Sequence, residues 1–133
     1  MLHSSAKAAP LAGSDDNHEK VLQTRSGMKV YFNDEKKVLQ LETPGGNRIT
    51  LTEDKQGIQI VDQNGNSIET SASSITVKGA ANIEIKAAAN LTLEAGGQLA
   101  IKGSGALQVQ ASGALELAGA ATTKITGALV QIN

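Results

Sequence analysis

Asp15/Asp16, Asp34/Glu35 and Glu53/Asp54 are the carboxylate pairs of this 133-residue chain. Two carboxylates facing each other across a cleft would serve acid–base chemistry. These are sequence neighbours set among turn residues, and solvated turn positions account for them. His3 and His18 stand fifteen residues apart, and a metal centre needs three or four ligands at defined spacing; no metal site and no cofactor site is expected. Lys20, Lys29, Lys36 and Lys37 do not form a basic patch, because Glu19, Asp34 and Glu35 interleave with them. The glycine-rich Pro44–Asn47 lacks the Lys-Ser/Thr and the following helix of a phosphate loop. No Ser-His-Asp set emerges, so no catalytic residue is assigned and no enzymatic activity is expected.

What the chain has instead is a pattern. From Ile75 an aliphatic residue recurs every eight positions: Ile75, Ile83, Leu91, Leu99, Leu107 and Leu115. Two residues on comes a second series: Val77, Ile85, Leu93, Ile101, Val109 and Leu117. The residue between is mostly polar: Thr76, Glu84, Thr92, Ala100, Gln108 or Glu116. A helix would point residues two apart about 200° from each other and scatter the aliphatics around its cylinder. A strand puts both on one side and the intervening residue on the other. Each pair is followed by one outward residue and then by Gly, Ala and Ser triplets such as "GAA", "AGG" and "GSG", which permit tight corners. Eight residues hold one strand and one corner, far fewer than the 20 to 50 of ordinary repeats.

Ahead of the octads lies a looser version. The pairs Val30/Phe32, Leu39/Leu41, Ile49/Leu51 and Ile58/Ile60 are spaced by 9, 10 and 9 residues and separated by Asn, Asp, Gly and Pro turns. Three segments follow: a lead-in over 1–19, a strand-and-turn region over 20–71, and the octads with a C-terminal tip over 72–133. Counting Thr123–Ile125 as a degraded seventh octad, the repeat then breaks: Leu129, Val130 and Ile132 occupy the end instead of the expected pair at Gln131 and Asn133.

The composition fits a thin interior. Aromatics make up 2% of the chain, and Trp and Cys are absent, so neither a large-side-chain core nor disulfides are available. Net charge is -1, which gives no reason to expect nucleic acid. No apolar run has the length of a membrane span, and no N-terminal signal peptide is visible. A single octad strand offers two aliphatics with no second layer to cover them. One chain coiling as a three-sided solenoid, or three chains winding together, would each bury the stripe, and the residues alone do not choose.

The octads, the upstream "TRSGMKVYFNDEKK" and "TPGGNRITL", and the ending "ALVQIN" together resemble the C-terminal spike of the VgrG family. That family comprises type VI secretion tips, phage-tail central spikes and the tips of extracellular contractile systems. The resemblance covers about residues 17–133. It implies an all-β, intertwined homotrimer, a triangular prism whose core is the twelve octad aliphatics. It implies a mechanical, membrane-piercing needle, assembled in the cytoplasm and carried outside on the injection particle. The partners it implies are the baseplate hub and inner tube, reached through N-terminal domains not present in this chain, the pierced target membrane, and a conical PAAR-type cap. Leu129, Val130, Gln131, Ile132 and Asn133 are then the expected docking surface for the cap. Seven octad layers would span about 34 Å at roughly 4.8 Å per strand, and with five upstream strands the shaft would approach roughly 60 Å. The competing class is a β-helical adhesin or carbohydrate-binding shaft, which would present aromatic platforms or acidic clefts; the outward positions here are Thr, Glu, Ala, Gln and Lys. An ice-binding solenoid would need an array of outward Thr, and a hexapeptide acyltransferase a period of six.

Overall fold

The computed structural model describes residues 15–133. The chain is all-β: seven strands form one antiparallel sheet in sequential order, and there is no helix among the described residues. The strands are β1 (Glu19–Gln23), β2 (Lys29–Asn33), β3 (Val38–Glu42), β4 (Arg48–Thr52), β5 (Gly57–Val61), β6 (Ser67–Thr70) and β7 (Ile75–Lys78). Each pairs only with its sequence neighbours, so the sheet is an open meander.

Two kinds of turn alternate along it. At one rim the turns are Thr24–Met28, Thr43–Asn47 and Asp62–Asn66. In each, the fourth residue is a glycine whose N–H donates to the carbonyl of the first, at 3.0, 3.0 and 3.3 Å. Those glycines, Gly27, Gly46 and Gly65, have φ of 90, 95 and 88°, a left-handed conformation that a side chain disfavours. A hairpin with a turn and a left-handed glycine bulge is the physical outcome. At the other rim the turns over 34–37 and 53–56 end in Lys37 and Gln56, with φ of 49 and 48°. The 9- and 10-residue spacings of the sequence are thus two halves of one 19-residue hairpin unit, repeated from Thr24 to Thr43 to Asp62.

The register lines up two apolar rows across the sheet. Leu22, Val30, Leu41, Ile49, Ile60, Ile68 and Val77 lie opposite one another in turn. Phe32, Leu39, Leu51 and Ile58 form the second row, with Lys20 at one end and the pair Thr70 and Ile75 at the other. The opposite face carries Tyr31, Gln40, Thr50, Gln59 and Glu69.

An ordinary half-buried sheet hides its apolar face. Here the order is reversed. In β5, Ile58 and Ile60 are exposed while Gln59 and Val61 are partly covered, and β4 repeats this with Ile49 and Leu51 exposed and Thr50 partly covered. Among the described residues no apolar side chain is buried, and Asn33 alone falls in that class.

Two boundaries differ from the sequence expectation. Glu19, placed in the lead-in, opens β1, and the sheet extends past residue 71 to take in the first octad as β7. β1 and β6 are strands the aliphatic pairs did not single out, because each brings one aliphatic to the apolar face, Leu22 and Ile68. Beyond Lys78 the described residues have no strand ladder within the chain. Contacts divide the chain into two units, 1–88 and 89–133; the second consists wholly of octads and the tip.

Candidate functional site: an unpartnered aliphatic stripe

The twelve octad aliphatics are the feature with the largest unmet demand. Each is between 54% and 76% exposed, the extremes being Leu115 and Ile75. Fully burying one such side chain contributes about 1.5–3 kcal/mol. Twelve side chains of this kind, repeated along one chain with no cover, far exceed the scattered apolar exposure of a soluble monomer. The octad at Ile83 shows the alternation locally. Glu84 and Lys86 form an ion pair at 2.7 Å; two residues apart on an extended chain, they share the side opposite Ile83 and Ile85. The tip is exposed as well: Leu129 and Ile132 by 83% and 85%, Val130 by 48%.

The sites weighed from the sequence resolve into turn chemistry. Asp34 pairs with Lys20 and Glu53 sits 3.9 Å from Lys37, all four side chains being largely solvated. Such pairs contribute little to stability. His18 accepts a hydrogen bond at its backbone carbonyl from the Asp34 amide; His3 lies outside the described residues. No group of three or more His, Cys, Asp or Glu suited to a metal ion occurs among the described residues. No helix there is long and apolar enough to cross a membrane.

Two small polar networks were not foreseen. At the first strand, the Tyr31 hydroxyl donates to Glu19 at 2.5 Å and Asn33 Nδ2 donates to both. Asn33 Oδ1 accepts from the Lys36 amide at 2.8 Å and so closes the 34–37 turn. The Glu19 carboxylate beside Tyr31 pushes the phenol's pKa up, chiefly through that hydrogen bond. At the far rim Asp62 organises its own hairpin. Its carboxylate accepts from the backbone amides of Asn64 and Asn66 at 2.8 and 2.9 Å and from both side-chain amides. Turns chain onto one another there: Asn47 Oδ1 accepts from the Gln63 amide, and Asn66 Oδ1 from the Ala80 amide.

These donors hold the Asp62 carboxyl at about 2, below the ordinary 3.8; the Asn66 side chain is the largest cause and the Asn66 backbone amide the next. A depressed carboxylate pKa adds stability that is fully present above the unfolded value and is lost as pH falls through the folded one. The window is therefore from about pH 4 down to about pH 2. Asp62→Asn is expected to flatten the acid limb of the unfolding curve in that window while leaving the neutral-pH fold intact; circular dichroism against pH reads it. An acid limb identical to wild type would remove Asp62 as the titrating group.

No protein-family model matches this chain, and no curated protein is significantly similar to it.

Proposed function

We propose that this chain is the shaft of a trimeric, membrane-piercing spike: a mechanically stiff needle of a contractile injection system, with no catalytic role. The observation that carries the reading is the aliphatic stripe. Its side chains recur at fixed spacing over Ile75 to Leu117, remain 54–76% exposed, and sit on backbone that finds no ladder partner within the chain after Lys78. Unpaired backbone and uncovered aliphatics are met together if three copies wind around one axis, each supplying one wall at each level. Three walls of two aliphatics per octad fill a narrow triangular interior without aromatic residues, which agrees with the composition. The outer surface would then carry Thr, Glu, Gln and Lys.

Stiffness follows from that arrangement. An intertwined prism has no local unit that can open alone, so its unfolding barrier is that of the whole assembly. The adhesin reading finds less support: the polar face of the sheet carries one aromatic, Tyr31, whose hydroxyl is engaged by Glu19, beside Gln40, Thr50, Gln59 and Glu69, and Glu69 is already engaged by Gln59 Nε2 at 3.1 Å. An extracellular working location and a hub at the N-terminal end belong to the same proposal.

Light scattering after size exclusion tests it, with an unboiled SDS gel alongside. A mass of three 13.7 kDa chains that survives SDS is expected. A folded, β-rich monomer would sink the spike and make a single-chain solenoid adhesin the leading reading.

The blunt end has a role in the same scheme. Three copies of Val130 and Ile132 around the axis would make a small apolar platform, and Leu129–Asn133 would seat a conical capping protein. Val130→Glu or Ile132→Glu is expected to abolish cap binding, read by co-elution with a PAAR-type protein, while the trimer mass stays unchanged. Undiminished binding would remove the platform from the scheme.

A further inference from the structure

The octads have a weakness as an assembly code. If one copy slides by eight residues against the others, Leu99 takes the place of Leu91 and Ile101 that of Leu93. Aliphatic replaces aliphatic, and the small-residue corners "AGG" and "GSG" exchange as well. Register is specified where a shift moves apolar residues to the wrong face. An eight-residue shift moves none. The repeat therefore cannot choose its own alignment, and alternatives of this sort must be excluded by another part of the chain.

The β1–β7 sheet has what the octads lack. It is hydrogen-bonded within one chain, and its apolar rows end on fixed strands, β1 and β7. β7 belongs to both segments: Ile75 and Val77 terminate the sheet's rows, opposite Thr70 and Ile68, and begin the octad series. In-chain hairpins give way to unpaired octads at this one place. Copies aligned there are aligned throughout, and a copy slipped by an octad would set a hairpin strand against an octad.

We propose that the apolar face of β1–β7 is the surface on which three copies of this chain first meet, and that this meeting fixes the register of the octads. The inference rests on the trimeric reading above and goes beyond it by assigning the step to a surface. The occupant is another copy of the same face for two reasons on the molecule itself. The rows on this face run on in sequence, without interruption, into the stripe that the other copies cover. The face is also almost free of charge, with Lys20 at one end of one row, so three copies meet without opposing charges. The charged residues sit at the rims and on the other side: Asp34, Lys37, Glu53, Lys55 and Glu69.

The absence of cysteine allows a clean test in the full chain. In a three-walled prism each octad turns one corner, so strands stacked on a wall come from different copies in rotation. Thr92 of one copy then lies beside Ala100 of another. Neighbouring strands about 4.8 Å apart fall within disulfide reach. The pair Thr92→Cys with Ala100→Cys is expected to give a covalent trimer on oxidation, whereas Thr92→Cys alone gives no covalent link. A slip of one octad by one copy, in either direction, brings Thr92 beside Thr92 at one junction.

The face is then broken with Leu41→Lys and Ile60→Lys in the Thr92→Cys background. Covalent dimers, meaning slipped trimers, or failure to trimerise are the expected results. Non-covalent trimers that still link fully through Thr92→Cys with Ala100→Cys would overturn the proposal. Hydrogen exchange at the β2–β5 amides reports whether the sheet survives the lysines. If it does not, Leu41→Thr with Ile60→Thr, which places a strand-favouring β-branched residue at both positions, is subjected to the same two outcomes. A monomer with the face intact is a different failure: it removes the spike reading and the register role with it.

Discussion

Ile101→Lys is expected to abolish the proposed trimer. In a three-walled needle the three copies of residue 101 converge at one level, so one codon change places three ammonium groups around one axis. An uncompensated buried charge costs several kcal/mol even after relaxation, and like charges at short range add to it. The mass should fall from three chains to one, with loss of SDS resistance. Ala100→Lys supplies the contrast. It is adjacent in sequence but belongs to the outward series with Thr92 and Gln108, and it should leave mass and SDS resistance unchanged. If both lysines are tolerated alike, the stripe is not an interior. If both disrupt assembly alike, the alternation has been read wrongly.

Gly57→Ala is expected to destabilise the sheet by about 1–3 kcal/mol per chain, the range for forcing atoms into occupied space, and to sit at the upper end. A Cβ at position 57 would lie 1.9 Å from the Thr70 carbonyl oxygen and 2.8 Å from its carbon. Both are backbone atoms, so no rotamer change relieves the contact. Thr70 is fixed there by a second bond, its Oγ1 accepting from the Ile58 amide at 2.9 Å, and the β5–β6 pairing would have to part. Gly46→Ala separates crowding from conformational strain: no atom lies within 4 Å of its added Cβ, yet φ is 95°. It should cost about 1–2 kcal/mol, the left-handed penalty alone. Denaturant midpoints of the two variants, compared with wild type, check the order. Gly57→Ala unfolding at the wild-type midpoint would contradict the close approach.

The alternation of aliphatics made five strands legible from spacing, the first octad's Ile75/Val77 pair on β7 among them. "RITLT" is β4 to the residue, and the others fall within a residue or two of β2, β3, β5 and β7. The reason is physical: each carries two aliphatics two apart, bounded by residues that tolerate turns. β1 and β6 escaped because "EKVLQ" and "SIET" each bring one aliphatic to the apolar face, and in β1 the adjacent Val21 and Leu22 obscure the period of two. Their strand character is set by the neighbour they pair with, which no local window contains. The hydrogen bonds of Asp62 and Asn33 were likewise invisible, since they depend on side chains brought together by the hairpin. For the octads the situation is opposite. Sequence spacing assigns the aliphatics to one side, while beyond Lys78 no strand ladder forms among the described residues.

The 19-residue hairpin unit has a consequence for how such a sheet can change length. Thr24, Thr43 and Asp62 occupy the same place in successive units, and the two apolar rows pass through the first two units unaltered; in the third, Thr70 stands where Phe32 and Leu51 stand in the others. Inserting or deleting one whole unit would leave every remaining side chain on its original face. It would lengthen or shorten the sheet by two strand spacings, close to 10 Å at about 4.8 Å each. An octad would add one spacing per chain by the same logic. Length in this architecture comes in steps, and gene duplication of a unit is a ready-made ruler: reach can be adjusted in fixed increments without redesigning a single contact.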